Sequence, residues 1–339
     1  MTTVAVTGAQ SELGRRVLLA LRGRGHHVVA VDRGRPDVAV PFRPANADGS
    51  VRTPAFEDAG VVVHLLHTDG PAHDPAAGAQ LDVEAVRSVL AAAERSGVRA
   101  IVHVSSAMVY GALADNPVPL TEDAPLRAGA EFPYVWHKRL AEELVAAWAG
   151  AHPGTRVAVL RPVTVLGGDV DDFVARHLES PRLPLVRGHV PPMQALDLGD
   201  LVAAIVLAVE DELAGAYNVA PEGWLTAEQV CAILRRKPVR LPESLAYPLA
   251  ERLWASHLAA APAGSLPYLM HPWVVDSRRL CEAGWAPART NREVLEAFAA
   301  RHHSRLTVGP VRTTRATVAA AGLTAGALAG LAVRRLRRA

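Results

Sequence analysis

Lysine is nearly missing from this 339-residue chain: of 36 basic residues only Lys138 and Lys237 are lysine, and the rest are arginine. Cysteine is equally scarce. Cys231 and Cys281 lie far apart and form no C-x-x-C pair, which argues against a zinc site or a disulfide framework, so no metal is expected. Aromatics amount to 5% and nowhere interleave with a basic stripe, and the net charge is only +2, which argues against nucleic acid as a partner. The N-terminus lacks the basic and long apolar regions of a signal peptide, so the cytoplasm is the expected compartment.

What is present is alternation. Short Val/Ala/Leu runs at Thr3–Val6, His27–Val31, Val61–Leu66, Ala100–Val104 and Arg156–Leu160 are separated by helix-length segments at Glu12–Arg24, Gln80–Ser96 and Tyr134–Gly150. That pattern predicts an α/β fold, a doubly wound parallel sheet with crossover helices. Between residues 33 and 60 only a short strand near Val38–Phe42 is expected, because Pro36, Pro41 and Pro44 limit any ladder there. After Pro162 the alternation gives way to the Pro-rich stretch Ser180–Asp197. Beyond it are predicted a helix at Leu198–Asp211, a strand at Ala216–Val219, and helices at Thr226–Arg235, Ser244–His257 and Arg292–His302. The expected organisation is a dinucleotide-binding domain over residues 1–162, its sheet open to completion by later segments, a smaller C-terminal substrate lobe over 163–305, and an Ala/Gly/Arg tail over 306–339.

The stretch Thr7–Gly14, TGAQSELG, joins the first strand to the first helix. Gly8 suits the tight turn and Gly14 the close packing of helix on strand, while Ser11 stands where a middle glycine would let backbone approach a pyrophosphate. Its hydroxyl can cap the helix or meet a phosphate oxygen. Ser11, Glu12 and Leu13 open the helix and are the expected phosphate-facing residues. Asp32 ends the second strand at the position where an acid meets a ribose 2′-hydroxyl, which favours NAD; neighbouring Arg33 and Arg35 leave NADP open.

A second constellation carries chemistry. HVSSAMVYG, His103–Gly111, ends a strand, and YVWHK, Tyr134–Lys138, opens a helix after Pro133. Tyrosine and lysine at i and i+4 share one helical face. Lys138 can there hold a cofactor ribose and lower the phenol's pKa, Tyr134 can pass a proton to or from a substrate oxygen, and Ser106 can hydrogen-bond that oxygen. In a chain that otherwise uses arginine, lysine at this point fits a need for a compact ammonium.

From residue 1 to about 303 the sequence resembles an extended short-chain dehydrogenase/reductase of the NAD-dependent epimerase/dehydratase group. The resemblance rests on Thr7-Gly8 with Gly14, VVVHLL from Val61, VSSAMVYG from Val104, YVWHK, LRPVTVLGG from Leu160, ALDLGDLV from Ala195 and GAYNVAPEG from Gly215. It implies a Rossmann-type domain with a C-terminal substrate lobe, a catalytic triad of Ser106, Tyr134 and Lys138, and a small-molecule substrate. Several positions depart from the family pattern. Ser11 replaces its second loop glycine, the acid-rich adenine segment reads RPANADGS with only Asp48 as a stand-in, and Asp82 to Val86 replace an Asn-Val-x-Gly-Thr stretch. Ala107 and Met108 replace the Asp-Glu pair of dehydratases. Met193 and Gln194 occupy the region where nucleotide-sugar members carry an arginine, for which Arg187 is the available substitute.

The expected function is therefore NAD(P)-dependent oxidoreduction or epimerisation at a secondary alcohol or ketone. A nucleotide-sugar 4-epimerase and a non-catalytic NAD(P)-sensing regulator are the alternatives, and a homodimer is left open. In the tail, residues 316–333 carry no charge, and 334–338 add four arginines. Gly322, Gly326 and Gly330 recur every four residues. This segment leaves open a helix that attaches to the inner membrane surface or packs on protein.

Overall fold

The computed structural model describes residues 2–314 apart from 47, 66–69, 75, 77, 78, 169, 171, 303, 304, 309 and 310. Its first half alternates as β1 (Thr3–Thr7), α1 (Glu12–Gly23), β2 (His27–Asp32), β3 (Phe42–Pro44), β4 (Val61–His64), α2 (Ala85–Arg95), β5 (Ala100–Val104), α3 (Pro133–Ala151) and β6 (Arg156–Pro162). The rest runs through β7 (Thr164–Leu166), α4 (Phe173–Leu178), β8 (Arg182–Val186), β9 (Ala195–Asp197), α5 (Leu198–Glu210), β10 (Gly215–Val219), α6 (Ala227–Leu234) and β11 (Lys237–Leu241). It closes with α7 (Glu243–Ala255), α8 (Arg278–Glu282), α9 (Asn291–His302) and the pair β12 (Arg305–Val308) and β13 (Val311–Thr314).

Seven strands form one sheet in the order β10-β6-β5-β4-β1-β2-β3, and every neighbouring pair is parallel. A parallel sheet buried on both faces explains why these strands read as unbroken Val/Ala runs. Val4, Val6, Val28, Ala30, Val63 and Val102 point to the face covered by α1 and α5. Ala5, Val29, Val31, Val62, Ile101 and Val159 point to the other, covered by α2 and α3. The strand order reverses between β1 and β4, so the carboxyl ends of β1, β2, β4 and β5 gather at one crevice.

The third strand differs from expectation: it runs Phe42–Pro44, not Val38–Phe42. Pro41 precedes the ladder and contributes its carbonyl to Ala30 N–H at 2.8 Å, and Pro44 is tolerated because β3 is the sheet edge. The Pro-rich stretch read as irregular contains two strands. β8 pairs in parallel with β11, and β9 with β7. These lobe elements enclose a separate core that includes Leu178, Leu183, Leu225, Leu234, Leu295 and Phe298. Helix α7 forms despite Pro248 in its interior.

Among the described residues no helix is long and apolar enough to cross a membrane. The tail segment singled out for membrane contact, 316–338, lies outside the described residues.

Candidate active site

The loop after β1 turns on Gly8, whose φ of +69° is readily available only to glycine. A Cβ at Gly14 would collide with the Gly8 carbonyl oxygen, so glycine there is what lets α1 start tight against β1. Ser11 resolves the question its position raised. Its backbone is extended, with φ −66° and ψ 158°, a region any residue adopts. Its hydroxyl donates to the Gly8 carbonyl at 2.8 Å and accepts from Gly14 N–H at 3.0 Å, which caps the helix. The first turn of α1 leaves the N–H groups of Glu12 and Leu13 without intrahelical acceptors at the positive end of the helix dipole. The Glu12 side chain turns back along the helix to Arg15 and Arg16; burial opposes its charge, but those two hydrogen-bonded guanidinium groups hold its carboxyl below the usual range.

Asp32, 5% exposed at the end of β2, accepts from Gln10 N–H at 2.9 Å and from Arg33 N–H at 2.7 Å. The acid is thus tied to the β1 loop. The Arg33 side chain is exposed, and the Arg35 guanidinium lies over the Phe42 ring, 5.3 Å from its centroid. Asp48 is engaged in its own turn, accepting from the Ser50 backbone and hydroxyl at 2.9 and 2.6 Å.

Ser106 follows β5 and caps a 3-10 turn, Ala107–Tyr110; its oxygen accepts from Met108 N–H at 3.2 Å. Tyr134 is the second residue of α3, which begins on Pro133, where the missing N–H costs nothing. Phe132 and Phe173 flank its ring at 5.8 and 5.4 Å. One turn on, Lys138 places its Nζ 5.0 Å from the Tyr134 ring centroid, and the lysine is only 7% exposed. Gly8, Ser11, Glu12, Leu13, Gly14, Asp32 and Arg33 thus form one cluster at the β1 and β2 ends, with Tyr134 and Lys138 together on α3 and Ser106 at the end of β5.

Sequence reasoning missed what holds the last two parts in register. Glu142 continues the face of Tyr134 and Lys138 by one more turn and is 3% exposed. It accepts from the Ser105 hydroxyl at 2.6 Å and from Arg161 at 2.8 and 2.5 Å. Arg161 also donates to the Tyr110 hydroxyl at 2.6 Å, and that hydroxyl donates to Asn218 Oδ1 at 2.8 Å. Burial pushes the Tyr110 phenol up to about 12, which keeps it a neutral donor. Burial works against the Arg161 charge, but Glu142 more than offsets it. The signal was available in the i, i+4, i+8 spacing of Tyr134, Lys138 and Glu142.

Two departures from the family pattern also find a structural account. Gln194 is 3% exposed; it donates to the Gly223 and Val275 carbonyls at 3.0 Å each and accepts from Val275 N–H at 2.9 Å, which fastens three lobe segments. Arg187 is exposed on the turn after β8.

Fold and crevice together define a dinucleotide-binding α/β enzyme. Residues 4–220 match the NAD dependent epimerase/dehydratase family, and the chain belongs to it. It is an NAD-dependent enzyme, and NAD is its cofactor. An uncharacterized Mycobacterium tuberculosis protein is 26% identical over 310 residues, covering 87% of this chain and 82% of the relative. A 3-diazoavenalumate denitrifying reductase from Streptomyces sp. is 30% identical over 241 residues, 67% of this chain and 78% of the relative. Two solved structures share the fold. MoeE5 in complex with UDP-glucuronic acid and NAD has a TM-score of 0.66 at 22% identity, over 88% of this chain and 99% of that one. A Thermus thermophilus UDP-glucose 4-epimerase complex with NAD has a TM-score of 0.67 at 20% identity, over 89% of this chain and 99% of that one.

Proposed function

We propose that this enzyme transfers hydride between NAD and a secondary alcohol or ketone of a small molecule, with Tyr134 as the proton-transfer group. The observation that carries this reading is the Tyr134–Lys138 pair, with ammonium and phenol ring 5.0 Å apart on the first turns of α3. Residues 1–162 with β10 form the dinucleotide half in this reading, and the remainder forms the substrate lobe.

Bound NAD supplies or accepts the hydride. The Glu12 and Leu13 N–H groups at the α1 terminus would hold its pyrophosphate, with Gly8 and Gly14 keeping the backbone close. Asp32 would accept from a ribose hydroxyl. Lys138 would donate to a ribose hydroxyl as well, and its charge favours the phenolate of Tyr134. In the oxidative direction the Tyr134 phenolate takes the substrate hydroxyl proton as hydride leaves the carbon that bears that hydroxyl; in reduction the phenol returns a proton to the carbonyl oxygen. Ser106 donates to the same oxygen, its own acceptor side being held by Met108 N–H. The reductase relative favours net reduction over epimerisation.

The test is nicotinamide absorbance with purified protein, NAD or NADH, and a panel of secondary alcohols and ketones. Lys138→Met is expected to weaken NAD binding and turnover together, and Lys138→Arg is expected not to restore them, since a planar guanidinium cannot place its charge at the same point. Parent-like turnover in Lys138→Met would refute the assignment.

A further inference from the structure

Beside the Tyr134 site the lobe encloses a cavity of about 410 Å³, a size suited to a small-molecule ligand. Phe173 and Met108 form its inner wall. Phe173 meets the Tyr134 ring edge-on, and Met108 is the residue whose N–H holds Ser106, so cavity and reacting groups share a partition. Most of the remaining wall comes from α4, β8, α7 and residues 258–269, and it is overwhelmingly aliphatic.

The polar groups on that wall are engaged or silent apart from the buried Thr164 hydroxyl, which meets no hydrogen-bond partner among the described residues. The Tyr268 hydroxyl donates to the Met108 carbonyl at 2.8 Å, Ser265 to the Pro262 carbonyl at 2.7 Å, and Ser180 to the Arg176 carbonyl at 3.4 Å. Desolvation pushes His177 down to about 4, so its ring is neutral. Among the described residues, Arg176 is the single charged residue bordering the cavity. A nucleoside diphosphate would need several cations or free backbone donors for its charge, and burying it against such a wall would leave it unsatisfied. The outer rim is apolar too: Leu249 and Leu258 border the cavity while 42% and 52% exposed, and neighbouring Leu245 is 58% exposed. Exposed apolar surface at a pocket mouth marks a route for an apolar ligand.

We infer that the cavity receives the hydrocarbon skeleton of a lipophilic secondary alcohol or ketone, whose single oxygen function faces Ser106 and Tyr134 past Phe173. This rests on the hydride-transfer reading and names its substrate class: a molecule recognised by shape and apolar area rather than by charge.

Equilibrium dialysis of the full chain loaded with NAD tests it, using methyl nonyl ketone, progesterone and UDP-glucose as probes. At least one ketone is expected to bind more tightly than UDP-glucose. Ala250→Phe fills the cavity from α7 and is expected to weaken ketone binding roughly tenfold or more, through lost apolar burial, with NAD affinity unchanged. Ala261→Leu fills the same space from the neighbouring turn and serves if the first variant does not fold. Absence of binding by both ketones, tighter binding of UDP-glucose, or ketone binding unchanged in a folded filling variant would overturn the inference. Because binding is read without turnover, the two readings fail separately. Ketone binding with no nicotinamide absorbance change for any alcohol or ketone of the panel refutes the hydride-transfer reading alone, while NAD-dependent turnover of hydrophilic substrates without ketone binding refutes the substrate class alone.

Discussion

The sheet half and the lobe half of this enzyme meet at Tyr134 and are built from opposite materials. On the sheet side, positions are fixed by directional contacts: a serine cap closing the β1 loop, a carboxylate tying β2 to that loop, and a buried Ser105–Glu142–Arg161–Tyr110–Asn218 chain under the reacting groups. On the lobe side the wall facing the site is aliphatic, and its hydroxyls are turned to their own backbone. On the proposed function, the chemistry that must be placed to a fraction of an ångström falls where parallel strand ends and hydrogen bonds fix positions, and substrate selection falls to the aliphatic wall of the lobe.

The strongest way to break this contrast is to cut the polar chain. Glu142→Ala leaves Arg161 buried and unpaired, and removing one partner of a buried pair costs about 3–5 kcal/mol. Denaturant unfolding measures this. A loss below about 1 kcal/mol would mean the network is not what fixes the sheet side, since that is the scale of an exposed pair.

The lobe has its own signature in pH. His177 is held at about 4 against an ordinary 6.5, so the unfolded chain binds the extra proton first as pH falls. Stability conferred by the neutral ring is full above the unfolded value and declines through the window from 6.5 to about 4. The decline amounts to roughly 3 kcal/mol at most. His177→Leu is expected to flatten the stability profile across that window; an unchanged profile would assign the acid sensitivity elsewhere.

Smaller and sharper is the cap. Ser11→Ala removes a hydroxyl that bonds two loop groups and is expected to lower stability by about 1 kcal/mol, whereas Ser11→Gly costs only a few tenths. Thermal unfolding of the pair separates a capping role from a steric one: if glycine were as damaging as alanine, the hydroxyl would not be acting as a cap.

The same contrast decides what could be read in advance. Val4–Val6 and Val61–Val63 announce themselves because a strand buried on both faces needs no partner to look like one, and the local i, i+4 spacing exposed Tyr134 and Lys138. Arg182–Val186 stayed hidden because Pro184 argues against a strand unless its partner, Lys237–Leu241, is known to lie beside it. Phe42–Pro44 was displaced from its expected place for the related reason that edge position excuses a proline. Glu142 is absent from the sequence reading because its partners Ser105 and Arg161 lie on other elements, and Gln194 was read as a missing arginine; the backbone groups it pins come from residues 221–223 and 275, far along the chain. Local periodicity carries the sheet half, and long-range pairing carries the lobe.

Two tyrosines that look alike in sequence sit in opposite surroundings. Tyr110 is fully buried and held by Arg161 and Asn218, while Tyr134 is half-buried beside Lys138. The most direct measurement is turnover of Tyr134→Phe and Tyr110→Phe on one substrate, with unfolding and NAD binding recorded for both. Tyr134→Phe is expected to lose turnover by about 10²–10⁴-fold with folding and NAD affinity nearly unchanged. Tyr110→Phe is predicted to lose stability first and to keep turnover in the molecules that remain folded. Parent-like turnover in Tyr134→Phe, or a larger chemical defect in folded Tyr110→Phe, would contradict the proton-transfer role of Tyr134.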